Sequence, residues 1–161
     1  MRSLVSSSDY VDLRVEELSR LEGSFDVIVC LWNVIGHVFP HAARVEAMRQ
    51  FHRLLRPGGR VFVDVAHRYN AARYGAVRTA GRWLYDHVAP SDTHGDVTAS
   101  WNLAGREYNV RGHVFTHREF AGMASAAGLV IARRIVVDYD SGAECSFGFQ
   151  GNLVYIMERP S

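Results

Sequence analysis

The feature that most constrains this chain is a pair of short β-branched runs, FDVIVCL at 25–31 and RVFVDV at 60–65. Both are apolar at successive rather than alternate positions, which suits strands covered on both faces of a parallel sheet. Between them, 41–56 carries Val45, Met48, Phe51, Leu54 and Leu55 at helical spacing. Pro57-Gly58-Gly59 is expected to stop that helix. Strand, helix, Gly-rich turn, strand makes a βαβ unit, which crosses over right-handed. The class expected is α/β.

The rest of the chain changes character. Residues 69–87 are aromatic, basic and amphipathic, and read as helix. The stretches 96–102 and 107–115 both alternate, with Ala104-Gly105 between them, which signals a hairpin. Thr116-His117-Arg118-Glu119 has the form of a capping box opening a helix to Ala127, and Gly128 ends it. Strands are expected at 129–139 and 152–158, forming a closing antiparallel pair.

Composition narrows the function classes. A 161-residue chain that is 48% hydrophobic and 22% charged has enough apolar residues for one core, so a disordered tail is excluded. The net charge of +1 leaves no electrostatic footprint for nucleic acid. No apolar run approaches the ~20 residues of a membrane helix, and 1–9 lacks the apolar core of a signal peptide. The expectation is cytoplasmic, with neither nucleic acid nor membrane as partner. Two cysteines, Cys30 and Cys145, do not form a disulfide framework. His113 and His117 are four apart, but a strand-to-helix break separates them, so no metal constellation is expected.

Three segments, in order, resemble motifs of the class I S-adenosylmethionine-dependent methyltransferases. FDVIVCLWNVIGHVFP is similar to that family's fourth-strand motif, LLRPGGRVFVDV to the fifth-strand motif, and FTHREFAGMASAAGLVI to a later helix–glycine segment. CLWNVIGHV further resembles the glycine/sarcosine-type small-molecule N-methyltransferases. The resemblance covers roughly 12–158. It implies one truncated methyltransferase-like domain over 1–161, with 69–115 as an acceptor-side insertion. It also implies a partial Rossmann-like sheet, mostly parallel, with a C-terminal antiparallel pair and a β-hairpin insertion. The family's GxGxG loop, which lets the backbone approach the cofactor closely, has no counterpart here.

The resemblance implies S-adenosylmethionine as cofactor, in an incomplete site, and a small-molecule acceptor methylated at nitrogen or oxygen. Asp12 and Leu13 would meet the adenine, Leu31 would offer its backbone carbonyl to the cofactor's amino group, and Trp32 beside it would also contact the cofactor. Asn33 and His37 lie just past the carboxyl end of a parallel strand, where open α/β sheets bind ligands. Asn33 can orient an acceptor, and His37 can serve as general base near neutral pH. Asp64, Val65, Ala66, His67, Arg68 and Tyr69 leave the second strand at the same edge. Arg68 is placed to clamp an acceptor carboxylate and Tyr69 to wall its pocket, with His67, Asn70 and Tyr108 of the same kind. Local roles compete: an Asx turn for Asn33, a packed ring for His37, a helix-start turn for Asp12, and a solvated guanidinium with a core phenol for Arg68 and Tyr69. The alternative function is a non-catalytic methyltransferase-like module that needs a further N-terminal part.

A strand at 25–31 without the family's first strand leaves an open apolar edge. Two reliefs are expected: residues 2–6 folding back as a substitute strand, or a homodimer pairing edge to edge. The shortness of Leu4-Val5 favours the dimer.

Overall fold

The computed structural model of the chain describes residues 12–161. The substitute strand expected at 2–6 lies outside the described residues. Six strands and four helices follow in the order β1 (Phe25–Cys30), α1 (His41–Leu54), β2 (Leu55–Val65), α2 (Ala71–Tyr74), α3 (Ala76–Val88), β3 (Asp96–Leu103), β4 (Arg106–His113), α4 (His117–Ala126), β5 (Val130–Val137) and β6 (Asn152–Glu158). The main sheet has the order β1-β2-β6-β5, and β3-β4 is a separate two-stranded ribbon.

β1 and β2 are parallel neighbours, and β6 lies antiparallel to both β2 and β5. Hence β1, β2 and β5 run one way and β6 the other. The expected α/β unit with its closing antiparallel pair is present. The Pro-Gly-Gly differs from expectation. α1 ends at Leu54, and 56–59 bulges within β2, so that Phe25 opposes Leu55 while Val27 opposes Arg60. Gly58 adopts φ +76, and the bulge is tied down by the Gly58 N–H donating to Arg159 O and the Arg159 N–H donating to Gly59 O. A residue with a side chain would be strained at Gly58, which explains why glycine closes this corner.

The helix expected over 69–87 is two helices. Gly75, at φ +83, breaks it into α2 and α3. The ribbon turn Ala104-Gly105 has both residues at positive φ (51 and 80), the backbone of a two-residue hairpin turn. Thr116 caps α4 by accepting from the Glu119 N–H. The reciprocal half of the expected capping box is absent, because the Glu119 carboxylate is engaged elsewhere, by Arg68 and His113.

The core forms on one face of the sheet. Val45, Met48 and Phe51 of α1 and Phe120, Met123 and Ala124 of α4 pack over Val61, Val63, Val65, Leu153, Tyr155 and Met157. The alternation in β2 and β6 aims these residues at the helices. On the opposite face the row of side chains is also apolar, with Val27 and Val29 exposed and Phe62, Val154 and Ile156 half-buried. One face of this sheet is therefore helix-covered. Among the described residues no helix of the core lies on the other.

Candidate functional site

The site is built where β1 and β2 end. β1 runs straight into Trp32 and Asn33, both in left-handed backbone, at φ 67 and 53. Left-handed conformations in succession at non-glycine residues are strained and persist only where surroundings hold them. Here Asn33 is held on both sides. Its N–H donates to Asp64 Oδ1 at 3.2 Å, its Oδ1 accepts from the Ala66 N–H at 3.1 Å, and its Nδ2 donates to His113 O at 3.3 Å. The expected Asn33 thus lies at the strand edge, as the joint between β1, β2 and the hairpin.

Beside it, Leu31 and Trp32 stand bare, at 43% and 85% exposure. His37 is exposed, and its Nδ1 lies 2.8 Å from Arg111 O of the hairpin. A carbonyl only accepts, so Nδ1 carries the proton and the neutral ring keeps its lone pair on Nε2. Asp12 is exposed and Leu13 half-buried, ahead of a short 3₁₀ turn at Val15–Arg20 that packs on α1 through Val15 and Leu18. No hydrogen bond among the described residues joins Asp12 or Leu13 to the Leu31–Trp32 corner.

Asp64 is the edge residue to which sequence reasoning gave no role. It is 6% exposed, and its Oδ2 accepts the Tyr139 hydroxyl, seventy-five positions away, while Oδ1 takes Asn33. Burial, reinforced by the Asp64 carboxylate, pushes the Tyr139 phenol well above its ordinary value. Burial likewise pushes the Cys30 thiol up to about 11, with the Asp64 charge adding to it, which leaves that thiol unreactive.

Arg68 and Tyr69 are not solvent-facing. The Arg68 guanidinium, 5% exposed, donates to Asp86 Oδ2 at 3.2 Å, to Glu119 Oε2 at 2.7 Å and, through Nε, to Val114 O at 3.1 Å. Tyr69 donates its hydroxyl to Asp86 Oδ2 at 2.6 Å. Glu119 also meets His113 Nε2 at 2.6 Å, and His113 Nδ1 meets Asp96 at 2.7 Å, with no part of that imidazole exposed. Burial alone would raise the Asp86 carboxyl, yet hydrogen bonds from Tyr69, His94 and Arg68 outweigh it and hold the carboxyl below its usual value. The donors that would clamp an acceptor carboxylate are thus turned inward. The solvated Arg68 that competed with that reading is absent too.

Two cavities flank the edge. One, of about 720 Å³, lies on the helical side and is lined by His41, His67, Arg68, Tyr69, Thr116 and Glu119 among others. His67 is buried there with no partner for Nδ1, and burial lowers its pKa to about 4. The other, of about 560 Å³, lies between α2 and the β5–β6 connection and is lined by Asn70, Arg73, Tyr139, Cys145, Gln150 and Asn152 among others. Asn33, His37, Leu31 and Trp32 line neither. The structure therefore divides the expected residues into a strand-edge group (Leu31, Trp32, Asn33, His37) and a buried ionic group (Arg68, Tyr69). No local pattern announces Asp64–Tyr139 or Arg68–Asp86–Glu119, since their members come from separate elements.

Residues 6–133 match the model of a family described as "Methyltransferase domain". Over 87 residues, 53% of this chain and 35% of the relative, the chain is 37% identical to the "Ubiquinone biosynthesis O-methyltransferase" of Pseudomonas paraeruginosa. The aligned part thus spans about a third of the curated relatives it matches. Among solved structures, the fold is similar to an S-adenosylmethionine-dependent methyltransferase from Clostridium acetobutylicum (TM-score 0.64, 10% identity, 94% of this chain and 64% of that one). It is also similar to one from Methanosarcina mazei (TM-score 0.63, 18% identity, 92% of this chain and 65% of that one). At these identities the likeness bears on the fold.

Proposed function

Because the chain belongs to the methyltransferase-domain family, we propose that it forms the acceptor side, and part of the cofactor side, of an S-adenosylmethionine-dependent methyltransferase acting on a small molecule. The observation that carries this reading is the β1 corner. The chain leaves a parallel strand in a strained turn fixed by three hydrogen bonds, and sets Leu31 and Trp32 in the open beside it. An exposed indole at the carboxyl end of such a strand offers a flat apolar shelf, which fits one wall of a nucleoside site. When bound, the cofactor supplies an activated methyl group. The chain's own part is to hold geometry, since an in-line displacement depends mainly on proximity and alignment. Asn33 fixes the strand edge, and His37 keeps the tautomer that a base needs. Asp12 and Leu13 remain proposed for the adenine end. Arg68 and Tyr69 serve the acceptor side as the frame that seats the hairpin over it.

The acceptor atom is proposed as oxygen or nitrogen, with the named O-methyltransferase relative favouring oxygen. One observation favours a second reading, a module that depends on a further segment for its cofactor: no GxGxG occurs in the sequence. Each missing charge-assisted hydrogen bond costs about 1.5–3 kcal/mol, so cofactor affinity in the millimolar range is expected for this chain by itself. The test is tryptophan fluorescence under titration with S-adenosylhomocysteine to millimolar concentration. A saturable change that disappears in Trp32→Phe is expected. A change untouched by that substitution would place the cofactor elsewhere, and a micromolar constant would remove the second reading.

A further inference from the structure

α3 is built inside out. At about 100° per residue, Val77, Gly81, Leu84 and Val88 form one stripe along the helix, and Thr79 and Asp86 lie on the opposite side. A surface helix normally turns such a stripe to the core. Here the polar side faces inward. Thr79 is buried, and Asp86 takes hydrogen bonds from Arg68, Tyr69 and His94. The apolar stripe faces solvent, with Val77, Leu84 and Val88 at 89%, 58% and 76% exposure. Rolling the helix to bury the stripe would break those bonds and strand the Arg68 guanidinium, so the orientation is fixed. An apolar row held open in this way marks a contact surface.

We propose that this stripe is one side of a two-helix seam, and that its occupant is an amphipathic helix of a partner protein that carries carboxylates beside its apolar residues. In such a seam each knob of one helix enters a hole formed by four residues of the other, at i, i+3, i+4 and i+7. Val77, Ala80, Gly81 and Leu84 stand at that spacing, and Gly81, Leu84, Tyr85 and Val88 repeat it one turn later. Both holes are apolar, and the small residues Ala80 and Gly81 give the first one depth. Lipid chains have no use for such a register; a second helix does. Charge selects the partner. Asp86 is the only carboxylate between 69 and 91 and is turned inward, whereas Arg73 and Arg78 are exposed. Arg78 flanks the stripe, where it meets an acidic side chain on the docked helix. A second copy of this chain would bring another Arg78 and no exposed carboxylate, which disfavours self-pairing. The 13 residues of α3 make a seam about 20 Å long, which fits a reversible contact rather than a permanent interface. The surface stands apart from the β1 corner and asks nothing of the methyl-transfer reading.

The probe is a synthetic peptide of about three heptads with Leu at the seam positions and Glu at the flanking ones; a second peptide carries Lys in place of Glu. Like charges keep each peptide from pairing with itself. Both are titrated by calorimetry into the full chain, Leu84→Asp and Arg78→Glu. Both substitutions fall on exposed side chains, so the fold is retained, which circular dichroism checks. The Glu peptide is expected to bind the wild type one to one at about 100 μM or tighter, and the Lys peptide about tenfold more weakly. Leu84→Asp is expected to remove binding, and Arg78→Glu to reverse the preference between the two peptides. No binding of the Glu peptide, equal binding of both peptides, or binding that survives Leu84→Asp would overturn the proposal. So would binding to phosphatidylglycerol vesicles in place of the peptide, lost in Leu84→Asp, which would assign the stripe to a membrane. A dimer that light scattering finds dissolved by Leu84→Asp would also overturn it, by assigning the stripe to a second copy.

Discussion

Asn33, at β1's exit, adopts left-handed backbone because its amide and its N–H are spent in three hydrogen bonds on two other elements, the end of β2 and the hairpin. Asparagine tolerates that conformation better than most residues. Asn33→Ala removes both side-chain bonds and the tolerance together, so a loss of about 2–3 kcal/mol in urea denaturation is expected. A loss under about 0.5 kcal/mol, the size of an ordinary surface substitution, would show that the turn holds without it. His67 makes a pH prediction. Its pKa falls from 6.5 to about 4 because it is buried, so the folded protein keeps it neutral while the unfolded chain protonates it below pH 6.5. Its stabilising contribution is complete above that pH and is lost as pH falls towards 4, by roughly 3 kcal/mol. His52 and His117, also lowered by burial, act in the same direction. The urea midpoint should therefore fall between pH 7 and pH 5, and the fall should shrink in His67→Gln. An undiminished slope in that variant would move the cause to other residues.

Arg68 governs how the elements are joined. It connects β2's exit to Asp86 on α3 and Glu119 on α4, and Glu119 connects onward through His113 to the β3–β4 ribbon. Removing one member of a buried ion pair strands the others, at about 3–5 kcal/mol. Arg68→Ala is thus expected to lower the urea midpoint severely, and amide exchange should rise first in β4. A variant with wild-type stability would return Arg68 to the acceptor role. The ribbon turn carries the opposite prediction. Ala104 sits at φ 51, where a side chain is strained, so Ala104→Gly is expected to stabilise the ribbon by up to about 1 kcal/mol and to slow its amide exchange. Elements of this kind were legible in the sequence. β-branched runs marked β1 and β2, and Ala104-Gly105 marked the ribbon turn. Local pattern could not show the bulge at 56–59, the break at Gly75, or the burial of Arg68. Each depends on where the chain returns from far away. Asp64 stands at the strand edge in the sequence, yet nothing near it announces Tyr139.

At the scale of the molecule, the sheet is covered by helices on one face, and β1 pairs only with β2 among the described residues. Val27 and Val29, at 53% and 60% exposure, sit on the uncovered face of that edge strand. A flat apolar edge of this kind invites pairing with another chain. We therefore retain the homodimer through the 25–31 edge as a proposal. Light scattering is expected to give a dimer or larger species at micromolar concentration, and Val29→Lys to shift it towards monomer. A monomeric wild type would contradict it. The carboxyl end of β1 is proposed to receive the methyl donor. The most direct measurement is a map of amide chemical shifts under millimolar S-adenosylhomocysteine. The expected result is a cluster of shifts at Leu31, Trp32 and Asn33, with α2 and the β5–β6 connection quiet. Shifts confined to the helical-side cavity around His41 and His67, or none at all, would contradict it.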